Sequence, residues 1–447
     1  MRRATLVATM VALSALVPAL TRAETAAPAP RPLTMDEALA MAKRANKNLV
    51  VERARLAAAH TNIEQAWAAL FPVVTAQGRF TRNYKNAVLD FGQLLNSYAL
   101  KDSTMPPPDF QAVILKQHQW DASINATLPL IAPAAYPALD AVKKGYGSSE
   151  ADFEASEDTV LYSVAQTFYA AAVSDEVLLV RDSAINVAQA TLDNAQSRFS
   201  AGTVTKVDVD RAELALVRAK QGELDARYAR EQSYRGLATL IQADGPLKAV
   251  PPESLPPPGE TDLDMALHLR PEFRSVILSQ EAFDAQRRAR AWQWAPTLSA
   301  FARANIGNYV GFTGDNYAWS VGAQLDWTLF DGGTRDAQRH LAAAQAAQAA
   351  AQATLLTDSI RDDLANNRSL LETRREGIKA AQRGADLAAE TLELVRSQYE
   401  AGTVAQIDLL AAQDNLVVAQ ESLAEARFNA AIADLALRRS AGTFPPR

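Results

Sequence analysis

Cysteine is absent from all 447 residues, which removes disulfides, thiolate metal sites, cysteine nucleophiles and any lipid-modified cysteine together. Histidine is scarce: His60, His118, His268 and His340 lie at least 58 residues apart, without the close spacing of a metal ligand set. Outside the N-terminus there is no apolar run of about 18 residues, so no spanning helix is expected. A phosphate loop, a dinucleotide fingerprint and a nucleophile elbow are missing as well, and Gly145-Tyr-Gly-Ser-Ser fits none of them. These gaps argue against an enzyme, a metal site and a cofactor.

What is present is a chain with 48% apolar and 21% charged residues, a folded rather than a disordered composition. Acids outnumber bases 51 to 45, which gives no footprint for nucleic acid. Arg2 and Arg3 precede the apolar stretch Ala4 to Leu20, and Thr21-Arg22-Ala23 offers a cleavage point. Residues 1–23 are therefore expected to be a secretory signal peptide. Losing its three Arg leaves 42 basic against 51 acidic residues. Residues 24–33, rich in Ala and Pro, read as an extended lead-in.

The chain is duplicated. Phe199-Ser-Ala-Gly-Thr-Val-Thr-Lys-Val-Asp208 lies on Tyr399-Glu-Ala-Gly-Thr-Val-Ala-Gln-Ile-Asp408 at an offset of 200, and nine of 23 positions from 199 to 221 are identical. Chance at roughly one identity in twenty would give one or two. Pro72 matches Pro296, and Trp120 matches Trp319. Repeat 1 is placed at 34–243 and repeat 2 at 261–440, divided by the Pro-rich segment 244–260 and followed by a C-terminal tail, 441–447. The divider holds Pro251, Pro252, Pro256, Pro257 and Pro258, too many for a helix or a central strand.

Each repeat reads as helix, two strands, long helix, tight turn, helix. Thr34 and Glu37 have capping-box spacing at the start of a helix running to Leu70, and Pro72 and Pro296 mark helix-to-strand junctions. Strands are expected at 72–86, 117–131, 296–310 and 317–330 from strict alternation. Val74, Ala76, Gly78 and Phe80 oppose Thr75, Gln77, Arg79 and Thr81. Trp120, Ala122, Ile124, Ala126 and Leu128 oppose Asp121, Ser123, Asn125 and Thr127. Leu298 to Ile306 and Trp319 to Leu329 repeat the design. Aromatics near the strand ends (Phe71, Phe80, Tyr84, Trp120, Tyr309, Trp319, Trp327) resemble an interfacial girdle, and the runs suit tilted strands crossing hydrocarbon. A soluble sheet with one wet face is the alternative. Four strands cannot close a barrel and lipid tolerates no open edge, so a membrane reading needs several chains to share one.

From about Ala134 to Phe199 and from Thr334 to Tyr399 no strong helix stop occurs after the first turns. Rods of some 65 residues would be ~100 Å long, a tube wall rather than a ball. The Ala-rich tract Leu341 to Thr354 is open to two readings, tight packing or helix-forming filler. Ala201-Gly202-Thr203-Val204 and Ala401-Gly402-Thr403-Val404 end the rods as tight hairpins, with Gly at the left-handed helix stop. Thr403 and Gln406 have capping-box spacing for the returning helix.

The paired Ala-Gly-Thr-Val turns with their following aspartates, the junction prolines, and Trp319-Ser-Val-Gly-Ala-Gln-Leu-Asp-Trp-Thr-Leu-Phe-Asp-Gly-Gly333 resemble the TolC-like outer membrane efflux proteins. The resemblance implies a membrane β-barrel joined to a long α-helical barrel, with four strands per chain and a homotrimer of 12 strands and 12 helices. It further implies an outer-membrane location with a periplasmic extension, and tips that dock a periplasmic adaptor bound to an inner membrane pump. In that family aspartates just after the tip turn narrow the entrance. The matching residues are Asp208 and Asp408, with Asp210 a local addition; Arg211 and Ala411 stand where some members carry a second acid. A ring of such acids is expected to titrate above the ordinary aspartate range. The function implied is a passive exit duct for small molecules or drugs. Type I protein secretion is the near alternative, and a soluble periplasmic coiled-coil adaptor is the alternative of another class.

Overall fold

The computed structural model describes residues 30–90, 111–252, 262–308 and 315–445. The expected signal peptide, most of the expected lead-in, residues 253–260 of the divider, Tyr309 and the last two residues of the tail lie outside the described residues.

Repeat 1 begins as its spacing predicts. Thr34 Oγ1 accepts the Glu37 N–H, and the Glu37 carboxylate accepts the Thr34 N–H, both at 3.3 Å. The helix expected to reach Leu70 is, however, two helices, α1 (Met35–Ala45) and α2 (Lys47–Ala68). Asn46 breaks them: its backbone is extended, and its Oδ1 accepts the N–H of Asn48 at 2.9 Å and of Leu49 at 3.4 Å. A short polar side chain that can bond the backbone locally competes with the helix interior and wins as a cap.

After Pro72 the chain forms β2 (Val73–Arg82), β3 (Ala87–Asp90), β4 (Gln111–Leu115) and β5 (His118–Ile131), where the alternation predicts only β2 and β5. The strand ending β2's region stops at Arg82 rather than 86, and β3 and β4 pair as a separate ribbon. The lead-in and the divider also differ from expectation. Arg31–Leu33 is a strand, β1, that pairs in parallel with β6 (Leu247–Ala249) inside the divider. Three residues are short enough to fit between the prolines.

The rods follow. In repeat 1 they are α3 (Ala135–Ser200, 66 residues) and α4 (Lys206–Ile241). In repeat 2, α5 (Leu263–Leu269) and α6 (Pro271–Trp292) lead to β7 (Thr297–Gly307) and β8 (Tyr317–Asp326). Then come α7 (Thr334–Glu400, 67 residues) and α8 (Gln406–Ser440). Trp327 and Leu329 thus lie beyond the strand in which they were expected. Within α7, Ala342, Ala346, Ala349 and Ala353 are buried at spacings of three and four, so the Ala-rich tract is a packing seam and not filler. No described helix is long and apolar enough to cross a membrane.

The main sheet has the order β2-β5-β7-β8, antiparallel throughout. Its register lines up Val74, Ala126, Ala302 and Val321 on one face, and Thr75, Asn125, Arg303 and Ser320 on the other. The apolar rows through Val74, Ala76, Gly78 and Phe80 therefore fall on a single face, which a slip of one residue would reverse, and a register shift between Pro129 and Ile131 sets Ile131 opposite Leu298.

The largest core sits about halfway along α3. Leu161, Val164 and Phe168 pack with Leu39 of α1, Leu237 and Ile241 of α4, Leu435 of α8, and Phe444. The tail is therefore a core segment as far as it is described. A third Ala-Gly-Thr turn, Ala441-Gly442-Thr443, delivers Phe444 to 4% exposure, where its ring meets Tyr162 edge-on at 6.2 Å. Beside this core Asp175 accepts from Arg230 and from the Tyr234 hydroxyl, which in turn accepts the Ala249 N–H at 2.9 Å and so holds the β1–β6 ribbon.

Candidate functional site

At the far end of the rods the two tips are near copies. Ala201 and Ala401 end their helices, and Gly202 and Gly402 share φ 75°. Gly202 N–H bonds Phe199 O at 2.9 Å and Thr203 N–H bonds Arg198 O at 2.9 Å. The equivalent bonds from Gly402 and Thr403 reach Tyr399 O at 3.1 Å and Gln398 O at 2.9 Å. This is the paired 6→1 and 5→2 pattern that satisfies the last carbonyls of a helix and needs a left-handed residue. Each Thr hydroxyl adds a bond to the same carbonyl, at 2.9 Å in the first tip and 3.0 Å in the second. Val204 and Val404 are half-buried and the other tip residues exposed. A Cβ built on either Gly would meet nothing within 4 Å, so the requirement for Gly inside one chain is the backbone angle alone.

The aspartates cap the returning helices. Asp208 Oδ2 accepts from Thr205 N at 3.0 Å and from Thr205 Oγ1 at 2.8 Å, while Asp208 N–H bonds back to Thr205 Oγ1 at 3.4 Å. Asp408 Oδ2 accepts from Ala405 N at 3.2 Å, and the Ala405 methyl offers no acceptor to complete the exchange. The box expected at Thr403 and Gln406 is not formed, because the cap position is Ala405 and the Thr403 hydroxyl is spent on Gln398 O. Within the chain, the Thr205 hydroxyl and N–H, with Arg211 3.8 Å away, hold the Asp208 carboxyl below the ordinary range. The rise expected from a ring of like charges belongs to three assembled chains, not to one. Asp210 is exposed one residue short of Arg211.

The tips also touch each other through residues the sequence pattern did not mark. Arg198 of α3 donates to Tyr399 O at 3.4 Å, with its guanidinium 4.7 Å from the Tyr399 ring centroid. Tyr399 is only 7% exposed despite its place at a hairpin end. Its offset of 200 from Phe199 was visible, but nothing marked Arg198 as its partner.

At the other end, the Phe-Asp-Gly-Gly run is a junction. Asp331 accepts from Gly333 N at 3.2 Å and from Arg335 N at 3.0 Å and Nε at 2.8 Å, with Gly332 and Gly333 at positive φ. Arg335 then bonds Gln293 O at 3.3 Å and lies 4.2 Å from the Trp294 ring. Pro296 follows Trp294 by two residues and immediately precedes β7, and Pro72 immediately precedes β2 and follows Phe71, which stacks on Trp67 with ring centroids 6.5 Å apart. Both junction prolines thus stand within two residues of an aromatic where helix gives way to strand. On the polar face of the sheet Arg79 pairs with Asp121 at 3.3 Å and Arg303 donates to Asn125 Oδ1 at 2.8 Å. Among the described residues no group of His, Asp and Glu could hold a metal ion.

Comparison with known proteins agrees with this architecture. A family model described as outer membrane efflux protein matches residues 38–242 and 263–443. Nodulation protein T of Rhizobium leguminosarum bv. trifolii is 30% identical over 251 residues, 53% of either chain. Outer membrane efflux protein BepC of Brucella suis biovar 1 (strain 1330) is 25% identical over 293 residues, 64% of either chain. The match thus spans between half and two thirds of the length of these curated relatives. A crystal structure of CusC, in work on transmembrane channel formation, shares the fold with a TM-score of 0.77 over 91% of each chain at 15% identity. The soluble-adaptor reading falls with these matches. The chain belongs to the outer membrane efflux protein family, a family of outer-membrane channels with a periplasmic helical extension and not of enzymes.

Proposed function

We propose that three copies of the chain assemble into one 12-stranded barrel in outer membrane lipid and one 12-helix periplasmic tunnel, the passive exit duct of a tripartite efflux system. The observation that carries this reading is the four-stranded sheet itself. Among the described residues its two edge strands, β2 and β8, pair with nothing on their outer sides in one chain, while Val74, Phe80, Trp319 and Val321 leave its apolar face exposed. An apolar face suits lipid, and open edges in lipid do not. Closing the sheet with copies of itself satisfies both, and 12 strands leave a lumen where eight would fill with side chains. The rods also leave apolar side chains exposed in one chain: Leu355 and Leu394 on α7, Val217 and Tyr228 on α4.

The tips at Gly202-Thr203 and Gly402-Thr403 face away from the sheet by the length of a rod. They dock a periplasmic adaptor, which couples the duct to an inner membrane pump. Asp208, Asp210 and Asp408 bring carboxylates towards the narrow end, where they favour cations. Small organic molecules are the cargo, selected by the pump.

Deleting the gene and restoring it tests the reading. Cells without the protein should accumulate dyes and antibiotics and recover on complementation. Unchanged accumulation together with a lost secreted protein would move the function to type I secretion.

A further inference from the structure

We propose that Arg303 forms a ring of positive charge inside the barrel that favours anions in transit, opposite in sign to the acidic tips. The proposal rests on the three-chain barrel above. The row Thr75, Asn125, Arg303 and Ser320 crosses the polar face of the sheet, the face that looks into the lumen when the apolar face meets lipid. Of the two arginines on this face, Arg79 is matched by Asp121. Arg303 is exposed and bonded to an amide oxygen, that of Asn125, which leaves its charge unmatched.

Among the described residues the other charges on this face are too distant to cancel it. Asp121 stands four residues along β5 from Asn125 and is held by Arg79, while Asp326 is opposite Thr297, six residues along β7 from Arg303. At ~3.4 Å per residue these separations are ~14 Å and ~20 Å along the strands, longer than the screening length of ~8 Å at physiological salt. Three copies would therefore set three guanidiniums at one height, the way an anion pore is lined.

The next polar-face position along β7 strengthens the ring. Phe301 lies over Gly322, where a Cβ would come within 2.9 Å of Phe301 Cζ. The bare glycine lets the aromatic ring lie against the wall, an apolar surface beside the charge that focuses its field. The ligand class is small anions, including the carboxylate or sulfonate groups of organic cargo.

The test is the reversal potential of the full-length channel in a planar bilayer under a KCl gradient. Arg303→Gln should raise the potassium-to-chloride permeability ratio at least ~2-fold and Arg303→Glu further, while Arg303→Lys should leave it as in the wild type. Because the chain has no cysteine, Arg303→Cys can be labelled after insertion, which separates charge from folding. A cationic thiol reagent added to the lumen should restore the wild-type ratio, and an anionic one should push it further towards potassium. Wild-type selectivity in Arg303→Gln and Arg303→Glu, or a labelled Cys with no change in selectivity, would overturn the ring. A wild-type protein that forms no channel would instead overturn the duct reading on which it rests.

Discussion

Arg198 of the first hairpin lies over the ring of Tyr399 in the second, 4.7 Å from its centroid, and donates to the Tyr399 carbonyl. One cation thus ties the ends of two rods that share no other described hydrogen bond at their turns. A stacked guanidinium is worth about 0.5–2 kcal/mol depending on desolvation. Arg198→Gln should therefore free the tips without unfolding the rods. In single-channel records it is expected to lengthen open times; unchanged gating would show that the contact is packing only.

The aspartates have two roles that a double substitution separates. Asp208 and Asp408 cap helices in the single chain, and Asn can accept the same N–H bonds without charge. Asp208→Asn with Asp408→Asn should keep the fold, weaken cation selectivity and raise conductance. Retained selectivity and conductance would leave the aspartates as caps alone. The pH dependence carries a sign. With its carboxyl held below the ordinary range by Thr205, Asp208 supports the helix start above the unfolded aspartate pKa. That support is lost as pH falls through the lower folded value. If three chains crowd the carboxylates, assembly should shift Asp208 upward, measurable by comparing its titration in trimer and monomer.

Substitution at the tip glycines separates turn geometry from docking. Left-handed backbone costs roughly 1–2 kcal/mol for ordinary residues but less for Asn. Gly402→Asn should therefore keep the turn while adding bulk where the chain itself offers no obstacle. We expect folded, inserted protein that no longer captures its adaptor in a pull-down. Normal capture and export with Asn at both tips would make the glycines turn formers only.

The third Ala-Gly-Thr turn behaves differently, because Gly442 is enclosed. A Cβ there would come within 2.6 Å of Leu269 Cβ, at a φ of 71°. Gly442→Ala should destabilise the core near Phe444 more than Gly202→Ala affects its tip. Phe444→Ala should cost about 3–5 kcal/mol, as for other buried aromatics. Denaturant unfolding of both variants in detergent checks the order.

These tails and tips show what could be read in advance. Long rods, alternating strands and the tip turns were legible because their signals are periodic or punctuated by Gly and Pro: α3 and α7 end within a residue of expectation. The split at Asn46, the three-residue β1–β6 pairing and the docking of Phe444 were not, since each depends on distant partners such as Leu240, whose carbonyl accepts from Asn46 at 2.8 Å. The site was half legible. Asp208 and Asp408 were visible as a repeat, but Arg198 has no counterpart, as Gln398 occupies the matching position.

Alkaline titration probes the mid-rod core. Burial, with the bond to Asp175, pushes the Tyr234 phenol up to about 12, and burial does the same for Tyr169. A raised folded value favours the neutral form, so stability is kept below the ordinary tyrosine pKa of ~10 and lost as pH climbs from there towards 12. Tyrosinate absorbance should show these two lagging the exposed tyrosines, and Tyr234→Phe should remove one lagging group.

Native mass spectrometry of the protein in mild detergent tests the shared barrel most directly. A particle of three chains should persist while the sheet is intact and separate only as strand content is lost. A stable single chain retaining all four main-sheet strands would contradict it.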